Sequence, residues 1–97
     1  MQSQSAIKHT EQGFRVSGDL VFLTVSALIE NGKKRISQLD LDIIQINLDS
    51  VERVDSAGVA LLLGWKRDCL AAQKSCYFQN IPQQAKALLE TYKLSML

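Results

Sequence analysis

Phe14, Val16 and Gly18 alternate with Arg15, Ser17 and Asp19, the period of two expected of a half-buried strand. Together with the preceding residues, this pattern predicts two short strands, 5–10 and 13–18, around a turn at Glu11-Gln12-Gly13. From Thr24 to about Gln38 the period becomes helical, with Val25, Leu28, Ile29 and Ile36 on one face and Thr24 placed to cap the helix. Gly32 inside that stretch costs about 1 kcal/mol against alanine, so an irregularity is expected there.

Asp42 to Leu48 reads as a strand: Ile44, Ile46 and Leu48 line one face, and Ile43 adds apolar weight to the other. That composition suits a strand covered on one side and partly on the second. A helix is expected from Asp55 to about Gln73, then a strand over 75–80. Pro82 suits the first turn of a last helix, where its missing N–H would be unpaired anyway. Ala85, Leu88, Leu89 and Tyr92 would form that helix's apolar face. The order strand, strand, helix, strand, helix, strand, helix predicts an α/β fold in one domain over residues 1–97. It would have a mixed four-stranded sheet with helices packed mainly on one side.

The helix after Asp55 carries more apolar residues than one buried stripe needs. Val59, Leu61, Leu62, Leu63, Trp65, Cys69, Leu70 and Ala72 spread over about half the circumference, whereas a helix lying on a sheet needs a stripe of about 100°. Either neighbouring helices cover the flanks, or one flank around Leu61 and Trp65 stays open as a partner site. The opposite face carries the small residues Ala60, Gly64 and Ala71, which would let another backbone approach. Lys66 falls inside the apolar arc, where its long stem could cross to water.

Asp55-Ser56-Ala57-Gly58 opens that helix. A hydroxyl at a helix mouth meets outward-pointing N–H groups and the positive end of the dipole, so Ser56 is placed either to cap the helix or to carry a phosphate.

Composition narrows the chemistry. Of 97 residues, 46% are hydrophobic and 22% charged, with a net charge of +1, which leaves no strong electrostatic footprint for nucleic acid or anionic membrane. The basic run Lys33-Lys34-Arg35 has no interleaved aromatics and reads as the solvated end of a helix. Cys69, Cys76 and the single His9 lack the spacing and number of a zinc site, and no other metal or cofactor pattern occurs. The two cysteines are expected as buried thiols in a cytoplasmic protein. No signal peptide is seen at the N-terminus, and the longest apolar run, Val59 to Leu63, is far too short to cross a bilayer. Ser56 lacks both a nucleophile-elbow context and a nearby histidine, so no catalytic residue is assigned and the chain does not read as an enzyme.

The run from Asp42 to Leu63 resembles the central motif of STAS domains: a buried strand, Leu48-Asp49 and Val51, then Asp55-Ser56-Ala57-Gly58 opening an apolar helix. Gly18-Asp19-Leu20 is similar to the family's Gly-x-Leu after the second strand. The resemblance implies a binding module rather than a catalyst. In anti-sigma factor antagonists of this family, the serine matching Ser56 is phosphorylated by a partner kinase, which breaks the partner complex. In MlaB-type subunits, which have the same plan and the Ala60-Leu61-Leu62-Leu63 run, the STAS domain binds the cytoplasmic ATPase of a phospholipid-transport ABC system.

The chain ends soon after Tyr92-Lys93-Leu94, without room for the terminal strand and helix usual in the antagonists, so the transporter reading leads. Its site is expected at Asp55, Ser56, Ala57 and Gly58 with Leu61 and Trp65. The protein would then be cytoplasmic, held at the inner face of the inner membrane through its partner.

Overall fold

A computed structural model describes residues 5–91. Its elements are strand β1 (Ala6–Thr10), strand β2 (Gly13–Leu20), helix α1 (Phe22–Gln38), strand β3 (Ile43–Val54), helix α2 (Ser56–Ala71), strand β4 (Ser75–Gln79) and helix α3 (Gln83–Thr91). The strands form one sheet in the order β1-β2-β3-β4. The β1–β2 hairpin is antiparallel, and β2–β3 and β3–β4 are parallel pairs, each bridged by a helix. The expected mixed sheet is therefore present.

One face of the sheet carries the core. Phe14, Val16 and Leu20 of β2 and Ile44, Ile46 and Leu48 of β3 are buried there against Leu28 and Ile36 of α1, Leu62 and Trp65 of α2 and Ala85 of α3. The Phe14 and Trp65 rings meet edge to face at 5.4 Å and 87°, a favoured aromatic geometry. Among the described residues, helices lie on this face only. The reverse face is polar, with Arg15 paired to Asp49 at 3.3 Å, Gln79 donating to Gln45 at 2.8 Å and Asn80 donating to Asn47 at 2.9 Å. Ile43 is accordingly 54% exposed, and among the described residues no helix covers the second side of β3.

Several expected boundaries shift, each for a local reason. Helix α1 begins at Phe22, with Val21 as its N-cap residue, so Thr24 lies in the first turn rather than at the cap. Thr24 still serves the helix start: its Oγ1 accepts from the Val21 N–H at 3.0 Å and donates to the Asp19 carbonyl at 2.6 Å. Ile29 is 46% exposed, whereas Leu28, Gly32 and Ile36 are buried. Gly32 does not interrupt the helix. A Cβ there would stand 2.2 Å from the Trp65 ring, so glycine is what lets α1 lie close on α2.

Strand β3 continues six residues past Leu48, because Ser50, Val51 and Val54 pair with the far end of β2 across two register shifts. Helix α2 ends at Ala71, slightly before the expected Gln73, which adopts φ 61. In α3, Ala85 and Leu89 are buried and Leu88 is half-buried; Tyr92 lies outside the described residues. Pro82 stands just before α3, where its carbonyl accepts from the Lys86 N–H.

Candidate functional site

The parallel strands β2 and β3 end side by side at Leu20 and Val54, and the helices α1 and α2 start within two residues of those ends. Four chain segments therefore meet at one corner, and Asp55 holds them together. It is the N-cap of α2: its Oδ1 accepts from the N–H groups of Ala57 at 2.9 Å and Gly58 at 3.1 Å. Its Oδ2 accepts from the N–H of Phe22, the first residue of α1, at 3.0 Å. Its own N–H donates to the Leu20 carbonyl at 3.1 Å. One carboxylate thus satisfies orphan donors at the mouths of two helices and sits where both dipoles favour negative charge.

This geometry removes one of the two readings of Ser56, the helix cap. The cap is Asp55; Ser56 is the first residue inside the helix, it is exposed, and its hydroxyl makes no hydrogen bond to the described residues. The hydroxyl is free to be touched or modified. Gly58 is fixed by close approach: a Cβ there would lie 2.1 Å from the Leu20 carbonyl oxygen, so the first turn of α2 presses directly on the end of β2. Ala57 is half-buried beside it.

Of the two readings of the α2 arc, cover rather than an open flank holds for Leu61 and Trp65. Leu61 is 6% exposed and Trp65 is 1% exposed. Most of the apolar arc of α2 packs inside the chain, although Leu70 is 63% exposed, and Leu61 and Trp65 form only the floor of a groove between α1 and α2. The apolar surface that does face outward at the corner belongs to α1: Phe22 is 76% exposed and Leu23 is 86% exposed. Sequence periodicity passed over both because they fall outside the helical repeat of Val25, Leu28 and Ile36. That mismatch was itself the available signal, since apolar residues off the buried stripe of a helix have nowhere inward to go.

Around the corner, Gln84 of α3 accepts from the Val54 N–H through its Oε1 at 2.9 Å, which ties the last helix to the end of β3. Arg53 donates to Asp19 Oδ2 at 3.0 Å, and this hydrogen bond raises the pKa of the guanidinium. A shallow shelf of about 390 Å³ lies between Ser56 and α3, lined by Val54, Gln84, Ala87 and Leu88.

The comparisons with known proteins fit this arrangement. The profile of the family described as "Mlab, STAS domain" matches residues 3–97. The chain belongs to the STAS family. Members of this family are generally non-catalytic regulatory proteins that bind other proteins. Among solved structures, the STAS chain is similar to the anti-sigma factor antagonist SpoIIAA in its unphosphorylated form, with a TM-score of 0.70 at 20% identity, covering 93% of this chain and 81% of that one. It is also similar to an anti-sigma-factor antagonist (STAS) domain protein from Planctomyces limnophilus, with a TM-score of 0.67 at 14% identity, covering 94% and 82%. At these identities the likeness establishes the fold. No curated protein matches the sequence.

Elsewhere in this STAS fold, Cys69 and Cys76 are buried free thiols, as expected. Hydrogen bonding to Cys69 and burial push the Cys76 thiol up. The Lys66 stem does cross apolar surface, and its Nζ donates to the Cys76 carbonyl at 2.9 Å. No cluster of metal-ligating side chains occurs among the described residues, and no helix there is long and apolar enough to cross a membrane.

Proposed function

We propose that this protein is a regulatory STAS subunit that binds the cytoplasmic ATPase of an Mla-type phospholipid-transport ABC system and docks through the corner at Asp55–Gly58. The observation that carries the reading is the match of the MlaB-type profile over residues 3–97, on a chain whose corner presents an unbonded Ser56 hydroxyl beside two exposed apolar side chains, Phe22 and Leu23. A polar centre flanked by exposed apolar residues is a favourable composition for a protein interface. Leu61 and Trp65 support the site from beneath, and the ATPase holds the subunit at the inner face of the inner membrane.

Co-expression tests this reading. The wild-type chain copurifies with the ATPase and changes the ATPase's rate of ATP hydrolysis, whereas Leu23→Asp, which changes an exposed side chain, loses the complex while keeping the fold. Copurification of a serine kinase in place of the ATPase overturns it.

A second reading, an anti-sigma factor antagonist regulated through Ser56, is favoured by the exposure and free hydroxyl of that residue. A phosphate there would carry about −1.5 to −2 charges next to the Asp55 carboxylate, whose two oxygens already hold both helix mouths. Repulsion would strain the cap and make the docking surface acidic. Incubation with the kinase and labelled ATP labels the wild-type chain and leaves Ser56→Ala unlabelled; label retained in that variant removes Ser56 from the role.

A further inference from the structure

Among the described residues, the strand order leaves β1 and β4 as the two edges of the sheet. An open edge is a row of unpaired backbone donors and acceptors, a template on which another strand can pair. The Ser75 N–H donates to the Asp42 carbonyl at 2.8 Å, which sets the phase of β4. In a parallel ladder the direction alternates. Ser75, Tyr77 and Gln79 therefore turn their backbone groups to β3, and Cys76 and Phe78 turn theirs outward. At the other edge, the Gln45 N–H donates to the Gln12 carbonyl at 2.8 Å, so Gly13, Arg15 and Ser17 face β1. Their partners Thr10, Lys8 and Ala6 then leave Ile7 and His9 of β1 pointing outward.

One long cation reaches each edge from the helix beside it. Lys66 of α2 donates from its Nζ to the outward Cys76 carbonyl at 2.9 Å, and this Nζ stands 5.9 Å from the centre of the Tyr77 ring. Arg35 of α1 donates from its Nη2 to the outward Ile7 carbonyl at 3.4 Å. The strands differ in what they carry themselves. β1 has the exposed Lys8 beside Ile7, a charge of its own. β4 reads Ser-Cys-Tyr-Phe-Gln, with no charge and no proline, the composition of a strand that pairs readily.

We propose that Lys66 locks the β4 edge against antiparallel pairing with β4 of a second copy. The outward groups of β4 are self-complementary. With a two-fold axis at Tyr77, Cys76 lies opposite Phe78 of the second copy, and each such pair exchanges both of its backbone hydrogen bonds. The lock takes one acceptor out of that pattern. It also adds repulsion, since the two Cys76 carbonyls would stand about 8 Å apart, each bearing an ammonium group. β1 depends less on Arg35, because a two-fold axis there sets Lys8 against Lys8 of the second copy.

Sedimentation velocity of the whole chain, from ~1 to ~500 µM, tests the lock. The wild-type chain stays monomeric over that range. Lys66→Met, which keeps the apolar stem, and Lys66→Ala both keep their circular dichroism and dimerise at least tenfold more tightly than wild type. Lys66→Arg retains a donor cation and stays monomeric. Arg35→Met makes the same change in net charge as Lys66→Met and also stays monomeric, which separates the lock from a general loss of charge. In the Lys66→Met background, copper–phenanthroline oxidation joins two copies through Tyr77→Cys, the position at the axis, and not through Lys8→Cys.

A folded Lys66→Met or Lys66→Ala chain that stays monomeric overturns the proposal, as does a wild-type chain that dimerises equally tightly. Association of Arg35→Met to the same degree, or crosslinking through Lys8→Cys in place of Tyr77→Cys, also overturns it.

Discussion

Replacing Asp55 with asparagine keeps the shape of the side chain but turns one of its two acceptor oxygens into a donor. The remaining oxygen caps α2 as well as before, since asparagine and aspartate are comparable N-caps. The amide nitrogen then faces the Phe22 N–H, donor against donor, and the tie to α1 is lost. That bond lies at an exposed position where water substitutes for the lost partner, so the cost is about 1 kcal/mol. Asp55→Ala removes all three bonds: about 1–2 kcal/mol for the α2 cap and about 1 for the α1 tie, or about 2–3 in total.

For a chain of 97 residues this corresponds to roughly 4–8 °C per kcal/mol, so the alanine variant melts on the order of 10–20 °C lower, and asparagine falls in between. Urea unfolding followed by far-ultraviolet circular dichroism gives the three free energies. If asparagine is indistinguishable from wild type and alanine loses less than about 0.5 kcal/mol, Asp55 does not bridge the two helices, and the account of the corner is wrong.

Other substitutions separate close approach from open space. Gly32→Ala drives a Cβ into the Trp65 ring and destabilises by about 2–3 kcal/mol despite better helix propensity, whereas Gly64→Ala, with nothing to meet, stabilises by about 0.5–1 kcal/mol; thermal melts of the pair read both signs. Gly58→Ala pushes on backbone rather than on a movable side chain, so it destabilises at least as much as Gly32→Ala and shifts the amide resonances of Leu20 and Phe22. Cys69 and Cys76 react with a bulky disulfide reagent only through opening of the fold, so labelling of the native chain is slow and both thiols are titrated promptly in urea. Rapid labelling of the folded chain at either position contradicts the burial of both thiols.

The alternation in β2 and the apolar run of β3 were enough to place the strands and their order, because period and burial are local properties of those residues. The far half of β3 was not readable: Ser50, Glu52 and Arg53 carry no apolar pattern, and that stretch is strand only because β2 lies alongside it. The corner was found in the sequence, but its parts were assigned wrongly by one residue. Ser56 is the more familiar cap by position before Gly58, yet Asp55 reaches further, and only the fold reveals that α1 begins within its range. The apolar breadth of α2 could mean cover or exposure. Cover won for Leu61 and Trp65 because α1 approaches at Gly32, a contact with no trace in the local pattern of either helix.

Helix α1 is also held at its other end. Lys74, in the turn after α2, donates from its Nζ to the carbonyls of Ile36 and Leu39 at the end of α1. Asp55 stands just before α2 and Lys74 just after it, so α2 clips α1 like a bracket with a negative jaw at one end and a positive jaw at the other. Neither helix can fray alone without breaking a charged contact to its neighbour.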